Sequence, residues 1–280
     1  METISEHKCF DGTQGFYSHH SAANDCLMKF AVFVPNSADQ GPLPVLTYLA
    51  GLTCTEETFV IKAGAQRMAA ALGIILVAPD TSPRGEGVAD DPDGHWDFGL
   101  GAGFYVNSTQ APFERHYQMY DYITKDLQAV VAENFPVDTA KQGIFGHSMG
   151  GHGALTIGLK NPDIYASISA FAPICAPMDC PWGQKAFSGY LGDEKSAWAA
   201  HDSSKLMAMA DPAGRAEILV DQGLSDQFLQ QELHPHLLEA AAEASGYPLR
   251  MRRHEGYDHG YYFMSTFMED HLRHHASILK

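Results

Sequence analysis

Ser148 stands in the run Gly146-His147-Ser148-Met149-Gly150-Gly151, between the apolar stretch Gly143-Ile144-Phe145 and a helix-like segment beginning near Gly151. Gly-x-Ser-x-Gly between a strand and a helix is the pattern of a nucleophile elbow. Its glycines have a physical reason: a serine projecting from a sharp strand-to-helix turn holds a strained backbone, and only residues without a Cβ at 146 and 150 let strand and helix come that close. The following helix aims free N–H groups at whatever binds Ser148. A serine nucleophile needs a base and an acid. His259 lies in Glu255-Gly256-Tyr257-Asp258-His259-Gly260-Tyr261, between the last expected strand and the last expected helix. The acid comes from Ile218-Leu219-Val220-Asp221-Gln222-Gly223-Leu224-Ser225-Asp226, which offers two aspartates. Asp226, in the loop, can turn toward a histidine on the neighbouring loop and is chosen. Asp221, still at the strand end, is read as a cap for local backbone N–H groups.

In this reading His259 takes the Ser148 proton during attack and returns it to the leaving group, while Asp226 fixes the imidazole tautomer and stabilises the imidazolium. The tetrahedral oxyanion needs two preorganised donors. The residue after the nucleophile supplies one, the N–H of Met149. The second is expected at Leu52 in Ala50-Gly51-Leu52-Thr53-Cys54-Thr55, the turn after an early strand.

The elements that must hold these groups are legible as alternating strand-like and helix-like segments, the signature of a mainly parallel sheet with helices on both faces. Strands are expected at 27–34, 45–49, 74–78, 142–145, 166–170, 218–220 and 249–252, and helices at 63–72, 117–134, 151–159, 228–244 and 261–275. The first two strands are expected to be joined by hairpin-like connections. With the chain order serine, aspartate, histidine, this is an α/β class chain with the α/β-hydrolase fold. No linker or repeat divides it, so residues 1–280 are read as one domain, with irregular loop insertions around 81–113 and 172–202. Long irregular segments of this kind usually cap or line a site. Asp90-Asp91-Pro92-Asp93 lacks the spacing of a calcium loop and is read as a solvated acidic turn.

Composition excludes several classes. With 18 Lys+Arg against 34 Asp+Glu the net charge is -16, which repels a polyanion such as nucleic acid. The apolar runs are strand-sized, far below the ~20 residues of a membrane helix. Met1 to Lys8 has neither the basic nor the apolar region of a secretory signal, so a cytoplasmic location is expected. Cysteines 9, 26, 54, 175 and 180 do not form a disulfide framework and are read as reduced thiols packed as small apolar groups. The histidines lack zinc-site spacing, and the pair His274-His275 is read as a solvated helix end. Neither a metal nor an organic cofactor is required by the serine chemistry.

The chain resembles the S-formylglutathione hydrolases, also called esterase D. The resemblance is carried by Gly51-Leu52-Thr53-Cys54-Thr55, by Trp96-Asp97-Phe98-Gly99 with Gly101-Ala102-Gly103-Phe104-Tyr105-Val106, and by Phe145 to Leu155 around the serine. It continues through Phe171-Ala172-Pro173-Ile174-Cys175, Cys180-Pro181-Trp182-Gly183, Asp226-Gln227-Phe228-Leu229 and Glu255 to His259. One departure is Ser225, where the family often has an acidic residue. The resemblance implies a thioesterase that cleaves S-formylglutathione to formate and glutathione in formaldehyde removal. It implies the triad Ser148, Asp226 and His259, oxyanion donors at Leu52 and Met149, and a thiol-reagent-sensitive cysteine at Cys54 that is not the nucleophile. It places Trp182, and more weakly Trp96, in the wall of the acyl pocket, and implies a homodimer. The rival reading is a general short-chain carboxylesterase for acetyl esters using the same triad. Because glutathione is itself anionic, local cations such as Lys62 or Arg84 would have to receive it.

Overall fold

A computed structural model describes all 280 residues. Nine strands form one sheet: β1 Glu2–Lys8, β2 Gly12–Ser21, β3 Cys26–Pro35, β4 Leu43–Leu49, β5 Ile75–Pro79, β6 Val137–His147, β7 Ser167–Phe171, β8 Ile218–Gly223 and β9 Leu249–His254. Their order is β1-β2-β3-β5-β4-β6-β7-β8-β9. Every neighbouring pair from β5 to β9 is parallel, while β1, β2 and β3 run antiparallel at one edge. β4, β5, β7 and β8 are almost wholly buried, and β6 is buried from Gln142 to His147, as parallel strands covered on both faces must be.

β7 shows how the two faces are used. Adjacent strand residues point to opposite sides. Ile168 meets helix Met149–Lys160, where a Cβ on Gly158 would be 2.5 Å from the Ile168 side chain. Ser167 and Ser169 point the other way, to helix Tyr261–Leu279. In that helix Met264, Met268, His271, Leu272, His275 and Leu279 recur at three- and four-residue spacing and are all buried.

Several expectations need correction. The strand expected at 27–34 does not pair with the one at 45–49: β3 is bonded to β2 and β5, and the hairpins are β1-β2 and β2-β3. The irregular segment 172–202 contains helix Pro181–Leu191, started by Cys180 as N-cap and Pro181 in its first turn. A further helix, Glu56–Lys62, precedes the one expected at 63–72; it is capped by the reciprocal Thr55 and Thr58 hydrogen bonds. The helix expected over 228–244 is divided at His234, whose φ of 46° precedes Pro235, because a residue before proline is pushed out of the helical region. The acidic turn is organised as well as solvated: the Asp91 carboxylate accepts from the N–H groups of Asp93 and His95 and pairs with His95 Nδ1 at 2.7 Å.

The pair His274-His275 is not a solvated end. His275 is fully buried, its two ring nitrogens 2.7 Å and 2.8 Å from the hydroxyls of Ser167 and Ser169. His274 is half-buried. No helix of the chain is long and apolar enough to cross a membrane.

Candidate active site

The C-terminal ends of the parallel strands carry the residues singled out above. Ser148 follows β6 directly and adopts φ 58° and ψ -120°, a region that L residues occupy only when the surroundings enforce it. The enforcement is visible. The Ser148 N–H donates to the Phe171 carbonyl at 3.0 Å, and its own carbonyl accepts from His152 and Ile174 at 3.0 and 3.2 Å. A Cβ on Gly146 would collide with the Gly150 carbonyl, and one on Gly150 with that of Leu49. The elbow therefore exists because both glycines let the backbones touch.

Asp226 and His259 come from the loops after β8 and β9. The loops are stitched together by Leu224 N–H to the His254 carbonyl and Ser225 N–H to the Tyr257 carbonyl, each 2.9 Å. His259 Nδ1 lies 2.6 Å from Asp226 Oδ2. The rest of the carboxylate is held by the Phe228 N–H on Oδ1 at 2.8 Å and by Gln222 Nε2 on Oδ2 at 3.2 Å. The Asp226 side chain is inaccessible to solvent, while His259 keeps 16% exposure, as expected if its free edge is to meet a substrate.

Asp221 does something else. It is fully buried, but it caps no backbone: Arg252 Nε and Nη2 each lie 2.6 Å from its two oxygens, and His254 and His271 stand 3.3 Å away. Its strand partner is Arg252 itself. Burial pushes the Asp221 pKa up, but the hydrogen bonds of His271 and Arg252 outweigh this and hold the carboxyl well below the usual range. Asp221 and Gln222 are consecutive on β8 and face opposite sides of the sheet, so the strand directs Asp221 to the last helix and Gln222 to the site.

Ser148 and His259 line one cavity of ≈ 230 Å³ with Gly51, Leu52, Cys54, Trp96, His147, Trp182, Phe228 and Tyr261. A roomier cleft of ≈ 590 Å³ lies between Glu217 and Met251, but it is lined by no serine, cysteine or histidine. Gly51 is pressed against the elbow: a Cβ there would be 3.2 Å from the Ser148 Cβ. The next residue, Leu52, has a backbone N–H that donates to no protein acceptor, and Met149 opens a helix whose first N–H groups are unpaired by construction. Both expected oxyanion donors therefore flank the serine on free backbone.

The expected pocket residues all reach this cavity. Trp96 and Trp182 meet edge to face at 5.6 Å. Trp182 is buried, whereas Trp96 is 54% exposed and forms the outer rim. Cys54 is half-buried, its sulfur 4.0 Å from the Tyr261 hydroxyl, and burial pushes its thiol pKa up, away from the reactive thiolate. Sequence reasoning missed His147, Phe228, Tyr261 and Gln222. His147 is buried with its ring 4.5 Å from that of His259, and both of its nitrogens lack a hydrogen-bond partner. Burial, then the neighbouring His259, hold it neutral by lowering its pKa. Its place immediately before the nucleophile was the available signal.

Comparison with known proteins gives the family and the fold. A family model described as "Putative esterase" matches residues 21–274. The S-formylglutathione hydrolase of Mus musculus is 49% identical over 280 residues, 100% of this chain and 99% of the mouse protein. The chain belongs to the S-formylglutathione hydrolase family. A solved family member from Agrobacterium tumefaciens superposes with a TM-score of 0.97 at 47% identity, covering 100% of both chains. A fluorophosphonate-binding serine hydrolase of Staphylococcus aureus, at 19% identity and a TM-score of 0.74 over 95% of this chain and 98% of its own, shares the fold. The α/β-hydrolase architecture expected from the alternation is thus that of the S-formylglutathione hydrolase family.

Proposed function

We propose that this S-formylglutathione hydrolase family member cleaves S-formylglutathione to formate and glutathione through a formyl-enzyme on Ser148. The observation that carries the reading is the size of the cavity at the serine. Its ≈ 230 Å³, walled by two tryptophans and Phe228, is below the ~300 Å³ at which drug-sized pockets begin, which suits a small acyl group rather than a bulky one.

His259 accepts the Ser148 proton as Oγ attacks the formyl carbon, and the N–H groups of Leu52 and Met149 receive the oxyanion. Collapse breaks the carbon–sulfur bond and the thiolate leaves with the proton held by His259. Water then repeats the cycle on the formyl ester, releasing formate and restoring Ser148. Asp226, wrapped by neutral donors, stabilises the imidazolium at each passage. The continuous sheet and one cluster of 67 buried apolar residues support a single catalytic domain over 1–280. A homodimer, by family resemblance, and cytoplasmic residence complete the reading, and light scattering tests the dimer.

The deciding experiment compares kcat/KM for S-formylglutathione with that for p-nitrophenyl acetate and butyrate, with Ser148→Ala as the blank. A preference of ~10² or more for the formyl thioester is expected, with a further fall from acetate to butyrate, since one methylene is worth ~1–3 kcal/mol of discrimination. Equal or better turnover of the esters would make the protein a general short-chain esterase.

A further inference from the structure

The rings around the cavity form a chain. Trp96 touches Trp182, Trp182 touches Phe228, Phe228 touches His259, His259 touches His147, and His147 touches Tyr261, at centroid separations of 5.6, 4.7, 5.0, 4.5 and 5.9 Å. At the Tyr261 end stands Lys62, the last residue of helix Glu56–Lys62, with Nζ 5.7 Å from the Tyr261 ring centroid. Lys62 is exposed. Its charge also reaches the Cys54 thiol, so it lies beside two residues of the cavity wall.

Nearby cations are committed. Arg84 is bound to Asp80 at 2.8 Å and donates to the Cys54 carbonyl at 3.3 Å, so it holds the loop rather than a ligand. At the Trp96 end, Lys185 is neutralised by Asp97 at 2.5 Å. Lys62 makes no ion pair, and it is exposed with its ammonium over the Tyr261 ring.

With the formyl group at Ser148, much of the thiol half of the substrate extends beyond a cavity of ≈ 230 Å³ and onto its rim. Glutathione carries a carboxylate at each end of a short peptide, and the protein's net charge of -16 repels it. We propose that Lys62 is the recognition residue for a carboxylate of the thiol half, which it receives beside Tyr261 while the formyl end reaches Ser148. This rests on the S-formylglutathione reading above and adds to it where the leaving tripeptide lies.

The test uses Lys62→Met, which keeps the apolar stem, and Lys62→Arg, which keeps the charge. Three substrates are compared: S-formylglutathione, the neutral thioester S-formyl-2-mercaptoethanol, and p-nitrophenyl acetate. Lys62→Met is expected to raise KM for S-formylglutathione about three- to tenfold with kcat held, the scale of one partly solvated charge-assisted contact. The loss is confined to the charged substrate, and Lys62→Arg restores it. An unchanged KM for S-formylglutathione, or an equal loss on the neutral substrates, overturns the assignment, the latter by showing that Lys62 only shapes the Cys54 and Tyr261 corner. A wild-type enzyme inactive on S-formylglutathione overturns the parent reading and Lys62 with it, whereas an active wild type indifferent to Lys62→Met overturns Lys62 alone.

Discussion

Asp221 and Asp226 lie on one strand and the loop that follows it, both are buried, and both meet histidine, yet their surroundings differ in kind. Asp221 is matched by a permanent cation, the Arg252 fork at 2.6 Å. Asp226 is held by a backbone N–H, an amide and one imidazole, none of which carries a fixed charge. A carboxylate already neutralised by guanidinium has little left to offer a charge that appears briefly on a neighbour. One held by neutral donors keeps its field for that moment. The two histidines follow suit: His271 is sealed beneath the sheet and kept neutral by burial against the pull of Asp221, whereas His259 opens onto the cavity. One cluster locks β8, β9 and the last helix together; the other is built to change charge.

The contrast can be broken deliberately. Ser148→Ala sets the scale, with an expected fall in kcat of ~10⁵ to 10⁶, as for nucleophile deletions in serine hydrolases. Residual turnover above ~1% of wild type in a clean preparation would remove Ser148 from the mechanism. Asp226→Asn should lower kcat ~10³ to 10⁴ while leaving thermal unfolding nearly unchanged, because the amide still fills the site but no longer favours the imidazolium. Asp221→Asn should do the reverse. Breaking a buried ion pair costs ~3–5 kcal/mol, and here the lower end applies because Arg252 keeps Asp270 at 2.7 Å and 28% of its own exposure. The expected result is a loss of about 3 kcal/mol in denaturant unfolding with kcat of the folded protein within about threefold of wild type. If Asp221→Asn proves the slower enzyme and Asp226→Asn the less stable protein, the assignment of the two aspartates is inverted.

How much of this was legible follows from where the information resides. The triad could be read because its members sit at strand ends flanked by glycine and loop signals, and the central strands because burial on both faces writes them as apolar runs. β1 and β2 were missed for the opposite reason: Glu2–Lys8 is an exposed edge strand without an apolar face, and Gly12–Ser21 is broken by glycines and polar residues. The helix Pro181–Leu191 was hidden by its Gly and Ser content, although Pro181 at its start was a usable signal. Asp221 was misread because its partner lies across the sheet at Arg252, and no local pattern reports strand register. The burial of His271 and His275 likewise depends on two serines of β7 far away in the chain.

The smallest effect concerns acid. His147, His271 and His275 are buried with pKa values lowered first by burial, and His152 on helix Met149–Lys160 is pushed down to about 3 by the same cause. In each, the folded state refuses a proton that the unfolded chain accepts near pH 6.5. The unfolded state therefore binds more protons below that pH, and stability falls as pH drops, by ~1.4 kcal/mol per pH unit for each such histidine. Asp221 has the opposite timing: its folded pKa is depressed, so its stabilisation is complete above about pH 4 and is lost only below that. Acid sensitivity between pH 6.5 and 5 should thus come from the histidines and leave the Asp221 cluster intact. His152 suits the test, since neither ring nitrogen has a hydrogen-bond partner and its ring lies against Phe104 and Phe187, with His201 and Lys160 as the nearby basic groups. His152→Leu should flatten the pH dependence of unfolding free energy over that window by about one proton's worth, ~1.4 kcal/mol per pH unit, with little change at pH 8 beyond packing. A variant whose slope matches the wild type would show that His152 is protonated inside the fold, and the interior around it would have to admit water.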